Sequence, residues 1–289
     1  MKNSRENSDP STAVVTGANS GIGFEISKTL FERGFEVWML CRNRQRAKEA
    51  AESIASGTEP ERLRLLIADL GIQSEVRRAA ETFRTQRNRL DLLVNNAGII
   101  PGSQREETAE GIEKTLAVNH LAPFLLTSEL FEPLKSAGSA RVVNVASEAH
   151  RAGEFDPGNL QLKTGYNSTR AYANTKMFNI MFSFELHRRM SEQGITVYAV
   201  HPGTVRTRID AGGSSGSLFL LLYKLGKPFM RSPKKGAETP LWLALEPGIE
   251  SMSGRYFQDK RVKEPLEIAH NPQACRKLWE LSEELTRNG

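Results

Sequence analysis

The chain has 289 residues, 25% of them charged and 39% apolar, with 39 Lys+Arg against 34 Asp+Glu. That length and balance describe one large globular domain or two small ones, and exclude a disordered, collagen-like or coiled-coil chain. The five surplus positive charges are spread along helical faces with Glu among them, as in RNRQRAKEAAES, so a solvated surface is expected and a nucleic-acid partner is not.

The first ten residues, MKNSRENSDP, are polar and lack both an apolar core and a small-residue cleavage site, so they read as a tail and not as a secretory signal. Residues 11–289 read as a single domain. Short β-branched or leucine-rich runs fall at Ala13–Thr16, Glu36–Leu40, Leu63–Ile67, Asp91–Asn95, Arg141–Val145, Thr196–Val200 and Arg255–Phe257, with helical patterns between them. The runs (AVV, VWML, LRLLI, LLV, VVNV, VYAV) are nearly continuous in apolar character, as strands covered on both faces must be. The expectation is one doubly wound α/β (Rossmann) domain with a seven-stranded parallel sheet and helices on both faces.

One connection is too long and too rich in Gly and Pro for a plain crossover. It lies between the sixth run and the next helical pattern, and it predicts a substrate lid at about 208–235. Its apolar residues, Leu218, Phe219, Leu221, Leu222, Tyr223 and Phe229, offer a pocket wall or a peripheral membrane contact. The densest apolar run, Leu218–Tyr223, stops at Lys224, far short of the roughly 20 residues that span a bilayer. No transmembrane segment is therefore expected, and a cytoplasmic location is. Cys41 and Cys275 form no CxxC pair or Cys/His cluster, so neither a disulfide framework nor a metal site is expected.

In an open α/β sheet, ligands bind beyond the carboxyl ends of the strands, so residues just after each run carry the chemistry. After the first stands Thr16-Gly17-Ala18-Asn19-Ser20-Gly21-Ile22-Gly23, leading into an amphipathic helical stretch. Gly17 permits a tight turn, Gly21 a close backbone approach to a pyrophosphate, and Gly23 close helix-strand packing, while the helix start points free N–H groups at negative charge. The second run ends in Cys41-Arg42, where NAD-selective folds place an acid for the ribose hydroxyl. Arg42, with Arg44 or Arg46 as helpers, instead suits a 2′-phosphate, which predicts preference for NADP(H) over NAD(H).

Asp69-Leu70 follows the third run, Asn95-Asn96-Ala97-Gly98 the fourth, Ser147 the fifth and Pro202-Gly203-Thr204-Val205-Arg206-Thr207 the sixth. Beyond Ser147, Tyr172 and Lys176 stand four apart, on one face of a helix. A phenol ionises near pH ~10, too high for efficient acid/base work, and a nearby ammonium favours the phenolate. With a serine hydroxyl holding the substrate oxygen, Ser147, Tyr172 and Lys176 make a proton-transfer site beside a nicotinamide.

In this order, TGANSGIG, NNAG, Asn119, Ser147 with Tyr172 and Lys176, and PGTVRT resemble the motifs of the short-chain dehydrogenases/reductases over nearly the whole chain, from about Ser11 to Phe257. The spacing from Ser147 to Tyr172, the insert EAHRAGEFDPGNLQLKTGYNSTRA and the later SGRYFQD resemble the retinol dehydrogenase branch. The resemblance implies that Tyr172 is the general acid in reduction and base in oxidation. Ser147 would polarise the substrate oxygen, Lys176 would also bind the nicotinamide ribose, and Asn119 would hold a water linking Lys176 to a proton relay. It further implies that Asp69 and Leu70 face the adenine, Asn95, Ala97 and Gly98 the adenine ribose region, and Pro202, Gly203, Val205 and Thr207 the nicotinamide. The expected substrate is a small hydrophobic aldehyde, ketone or alcohol. Resemblance also implies a homo-oligomer built on the faces Ala109–Ser136 and Ala171–Arg189.

Two other readings compete. A dinucleotide-binding sensor or scaffold would want the tyrosine or lysine missing, and epimerase or dehydratase chemistry would want a longer carboxyl-terminal domain. Several polar residues take ordinary readings: His120, His201 and Tyr166 as packed or rim groups, Trp242 and Leu243 as core, and Cys41 as a buried thiol. His150 and Arg151 are candidates for substrate contact.

Overall fold

A computed structural model describes residues 10–205 and 230–287. Eight strands form one sheet in the order β3-β2-β1-β4-β5-β6-β7-β8. They are β1 (Thr12–Thr16), β2 (Glu36–Cys41), β3 (Leu63–Ile67), β4 (Leu92–Asn95), β5 (Ala140–Val145), β6 (Ile195–His201), β7 (Arg255–Gln258) and β8 (Arg261–Lys263). The first seven pair in parallel, and β8 returns antiparallel to β7. The expected seven-stranded parallel sheet is thus extended by one antiparallel edge strand. The turn between β7 and β8 consists of Asp259 and Lys260, both at positive φ (51° and 59°), as a two-residue hairpin requires. Without the usual Asn-Gly or Asp-Gly, that turn is silent in the sequence.

The continuous apolar runs are explained by two-sided burial. Successive residues of β1, β2, β4 and β5 alternate between cores on the two faces of the sheet. Ala13, Val15, Val37, Met39, Leu92, Val94, Val143 and Val145 pack on one side with residues of α1 (Gly21–Glu32) and α2 (Arg44–Ala55). Val14, Trp38, Leu40, Leu93 and Val142 pack on the other with residues of α3 (Gln73–Arg84).

From α4 (Lys114–Leu116) the chain passes through a π-helical turn (Ala117–Leu121) into α5 (Ala122–Glu129) and then α6 (Phe131–Ser136). Pro123 gives the turn a cause. It has no N–H to offer the carbonyl of Asn119 four residues back, so the α-helical ladder must widen there. The long α7 (Ser168–Met190) starts at Asn167, whose side chain accepts the Arg170 N–H at 3.0 Å. α8 (Pro233–Leu245) packs against α1, and Leu243 is buried with Trp242 against that core.

The final helix, α9 (Pro272–Arg287), lies along α7. Its Trp279 ring stands 4.9 Å from Phe124 and 5.9 Å from Phe182, and the Arg189 guanidinium covers it at 4.3 Å. Gln73 donates to the Leu285 carbonyl at 2.8 Å, and Arg77 donates to that of Thr286. The α7 face expected to support self-association is therefore occupied in part by the chain's own last helix.

Of the expected lid, 208–229 lie outside the described residues. Residues 230–235 lead directly into a helix: Arg231 bridges Val205 in parallel, and Ser232 caps α8 by accepting the Lys235 N–H at 3.2 Å. Among the described residues no helix is long and apolar enough to cross a membrane, and no group of His, Cys, Asp and Glu could hold a metal ion. Both cysteines are buried and free, as expected of Cys41.

Candidate active site

The strand order reverses direction between β1 and β4, and a cleft of about 640 Å³ opens beyond their carboxyl ends. Its floor is the glycine turn. Gly17 and Gly21 both sit at positive φ (65° and 58°), and Ser20 starts α1 with an extended backbone and no side-chain cap. The first N–H groups of α1, with no acid in that turn, are thus left for an anion. A Cβ on Gly23 would stand 2.3 Å from the Gly17 carbonyl oxygen, so this glycine is required for packing beneath the turn and does not line the cleft.

Asn19, Ser20, Ile22, Arg42, Asp69 and Leu70 line this arm together with Gly17 and Gly21. Asn43 caps α2 by accepting the Arg46 N–H at 2.9 Å, which fixes the backbone beside Arg42. The Arg42 side chain, 54% exposed, reaches within 3.9 Å of the Asp69 carboxylate. Asp69 in turn accepts the Gly71 N–H at 2.8 Å. Cys41 lies in the cleft wall with its thiol near the Ala18 and Asn19 amides, and burial pushes it up to about 12. It is therefore an inert thiol.

The fourth strand requires a correction. Asn95 is the last residue of β4 and points into the protein, where it donates to Asn144 Oδ1 at 2.8 Å and Thr127 Oγ1 at 3.2 Å. It is 2% exposed and does not reach the cleft. Its neighbour Asn96, absent from the expected contacts, does. Asn96 Nδ2 donates to the Thr16 carbonyl at 2.9 Å, and the Asn96 and Ala97 N–H groups both donate to Thr16 Oγ1 at 2.9 Å. Thr16 and Asn96 thereby lock the ends of β1 and β4 together. The alternation of strand faces was the signal that separates the two asparagines.

At the other arm stand Ser147, Tyr172, Lys176, Pro202, Gly203 and Val205, with Ala97 and Gly98 between the arms. Thr207 lies outside the described residues. Ser147 ends the loop after β5, and its Oγ accepts the Ala149 N–H at 3.2 Å, an arrangement that keeps the hydroxyl proton to donate. Lys176 Nζ lies 5.5 Å from the centre of the Tyr172 ring and 3.4 Å from the Val145 carbonyl oxygen. Burial alone brings its ammonium down to about 8. Tyr172 is half-buried at the start of α7.

Asn119 stands behind the wall, fully buried in the π-helical turn. Its Oδ1 accepts the Ile99 N–H at 2.7 Å, and its Nδ2 donates to the Ile99 carbonyl at 3.0 Å and to Thr175 Oγ1 at 3.2 Å. The side chain thus pins the loop after Gly98 to the helix that carries Tyr172 and Lys176. A Cβ on Gly98 would come within 3.3 Å of both Asn119 Oδ1 and Lys176 Nζ, so only glycine passes there unhindered.

The histidines behave as ordinary buried groups. His120 is brought down to about 4 by burial and sits 2.9 Å from Ser282 Oγ of α9. His201, also near 4, is buried at the cleft wall. Tyr166 remains outside the cleft.

A family model for short chain dehydrogenase matches residues 11–216. The chain belongs to the short-chain dehydrogenase family. Within that family it lies on the retinol dehydrogenase-like branch. Retinol dehydrogenase 12 of Homo sapiens is 39% identical over 272 residues, covering 94% of this short-chain dehydrogenase and 85% of the human protein. Among solved structures, an uncharacterized protein from Mycobacterium paratuberculosis is 28% identical with a TM-score of 0.74, over 96% of this chain and 95% of its own. A short chain dehydrogenase from Burkholderia cenocepacia, solved in complex with NADP, is 25% identical with a TM-score of 0.66, over 86% and 95%.

Proposed function

We propose that this short-chain dehydrogenase is an NADP(H)-dependent oxidoreductase acting on a hydrophobic aldehyde or ketone, or the corresponding alcohol. The observation that carries the reading is the meeting of Ser147, Tyr172 and Lys176 in the same cleft as an uncapped helix N-terminus on a glycine turn. Both groups whose loss would favour a silent sensor are present in that cleft.

The glycine turn and the first N–H groups of α1 would hold a dinucleotide pyrophosphate, Asp69 and Leu70 the adenine, and Lys176 the nicotinamide ribose. When bound, the dinucleotide supplies hydride exchange with the substrate carbon. Tyr172 gives its phenol proton to the substrate oxygen in reduction and takes it back in oxidation. Ser147 donates a hydrogen bond to that oxygen and so stabilises the charge that develops there. The Asn119 carbonyl, denied its helical partner by Pro123, is the group that would hold the relay water.

Preference for NADP(H) is supported by Arg42 and by the absence of an acid at the end of β2, and it accords with NADP in the Burkholderia relative. Arg42→Asp is expected to raise KM for NADPH by about 10–100-fold, the value of one charge-assisted phosphate contact, and to lower KM for NADH. Equal effects on both dinucleotides would remove Arg42 from the phosphate site. An apolar substrate is supported by Ile99, Ile100, Ala149 and Val205 in the cleft wall.

The direct test follows loss of reduced-nicotinamide absorbance with NADPH or NADH against aliphatic, aromatic and polyene aldehydes and ketones, retinal included. Turnover with an apolar carbonyl that prefers NADPH is expected. Tight dinucleotide binding without turnover on any of them would overturn the reading in favour of a sensor.

A further inference from the structure

We propose that His150 is the residue that positions Ser147, and that it does so by fastening the serine's turn to the C-terminal loop at Leu266. This inference rests on the oxidoreductase reading above, since it concerns the serine assigned to the substrate oxygen.

Ser147 stands at the head of a short 3-10 turn, Glu148–Ala152. Its carbonyl oxygen receives two hydrogen bonds, both from His150: the backbone N–H at 3.0 Å and the ring Nδ1 at 2.8 Å. The other ring nitrogen, Nε2, accepts the Leu266 N–H at 3.2 Å. A carbonyl on one side and an amide N–H on the other define the tautomer: the proton is on Nδ1 and the ring is neutral. Ser147, Glu148 and Ala149 line the cleft, whereas His150 is 0% exposed and does not. The histidine therefore lies behind the serine and touches no substrate. It is a positioning residue, and the sequence-based expectation of a substrate contact at His150 is corrected by this burial.

The clamp has a second arm. The His150 ring meets Tyr256 of β7 edge-on at 5.1 Å, and the Tyr256 hydroxyl donates to Glu148 Oε2 at 3.3 Å. Residues 148 and 150 of the turn are thus both held by Tyr256 of β7. The hydroxyl of Ser147 and the N–H of Ala149 that it accepts are left facing the cleft. A turn held at one end only by its own backbone bond would let that hydroxyl wander, and misplacement of a reacting group by about 1 Å costs on the order of 100-fold in rate.

The Leu266 backbone offers a clean probe. Its φ of −58° is already that of proline, so Leu266→Pro keeps that angle while it deletes the N–H donor and puts a ring carbon where the hydrogen met Nε2, breaking the contact and displacing the His150 ring. Leu266→Ala removes the side chain but keeps the donor, and their difference reports the contact between the Leu266 backbone and the His150 ring. The experiment measures kcat and KM for the best carbonyl, and NADPH affinity by fluorescence, in His150→Ala, His150→Asn, Leu266→Pro and Leu266→Ala.

His150→Ala is expected to lose about 10–100-fold in kcat, with NADPH affinity unchanged within about threefold. His150→Asn, whose amide can replace the Nδ1 donor to Ser147 but does not reach Leu266, should stay nearly as slow as His150→Ala, and Leu266→Pro should fall below Leu266→Ala. Equal kcat for the two Leu266 variants, or full recovery by asparagine, overturns the proposal, the former even where His150→Ala fails to fold. Amide hydrogen exchange supplies a readout independent of turnover: the Leu266 N–H is expected to be protected in the wild-type protein and to exchange freely in His150→Ala. Protection at Leu266 in a protein that reduces no carbonyl would sink the oxidoreductase reading while the clamp stands. Turnover with an unprotected Leu266 would do the reverse.

Discussion

Tyr172→Phe should lower kcat by about 10²–10⁴-fold, the usual share of a positioned general acid, while dinucleotide affinity stays within about threefold. The substitution removes one oxygen and keeps the ring that faces Lys176 at 5.5 Å, so the start of α7 has no reason to repack. What is lost is the proton that the substrate oxygen needs as the carbonyl becomes an alcohol. Because that proton moves only in the transition state, the loss belongs in kcat, with KM for the carbonyl changed little. Stopped-flow binding of NADPH and steady-state rates on one preparation separate the two effects. A variant with wild-type kcat would remove Tyr172 from the chemistry.

The second large effect concerns stability, and its sign is opposite. Lys176→Met should make the dinucleotide-free protein more stable at pH 7, by up to about 3 kcal/mol, while abolishing turnover. Lys176 is 4% exposed, and burial lowers its ammonium from 10.5 to about 8. Each unit of that difference corresponds to about 1.4 kcal/mol. Between these values the unfolded chain binds the proton more tightly than the folded one, so stability rises with pH through this window. Below about 8 the full penalty for burying the charge is present, and above 10.5 it is gone. Methionine fills a similar volume without a charge and escapes the penalty. Urea unfolding at pH 7 and pH 10 should show the gap between variant and wild type shrinking as pH rises. A variant less stable than wild type at pH 7, or a gap independent of pH, would show that Lys176 is not a buried charge held for function.

β1, β2, β4, β5 and β6 could be read from the chain because both faces of each are largely buried, and a strand with no solvent face has no polar alternation to blur its limits. β8 escaped notice because Arg261 and Lys263 are exposed and its turn uses Asp259 and Lys260 in a conformation that glycine usually signals. The glycine turn and the Tyr172/Lys176 pair were legible because each is local: three glycines within seven positions, and two side chains one helical turn apart. Asn95 and Asn96 are told apart only by strand alternation, a weaker signal than either of these. The strand's end at Asn95 was legible, but which of the doublet reaches the cleft depends on which face of β4 its last side chain takes, a matter of one residue. The setting of Ser147 was also hidden, since Leu266 lies 116 positions beyond His150 and no short pattern joins them.

The hairpin that ends the sheet also bears on how the molecule behaves in company. Without β8, strand β7 would present an open row of backbone donors and acceptors, a template on which a second chain can pair. β8 covers that row with three residues, two of them exposed cations, and then the chain turns away. The outermost strand is too short and too positively charged to welcome another copy, so at this margin the protein resists aggregation by design of its border.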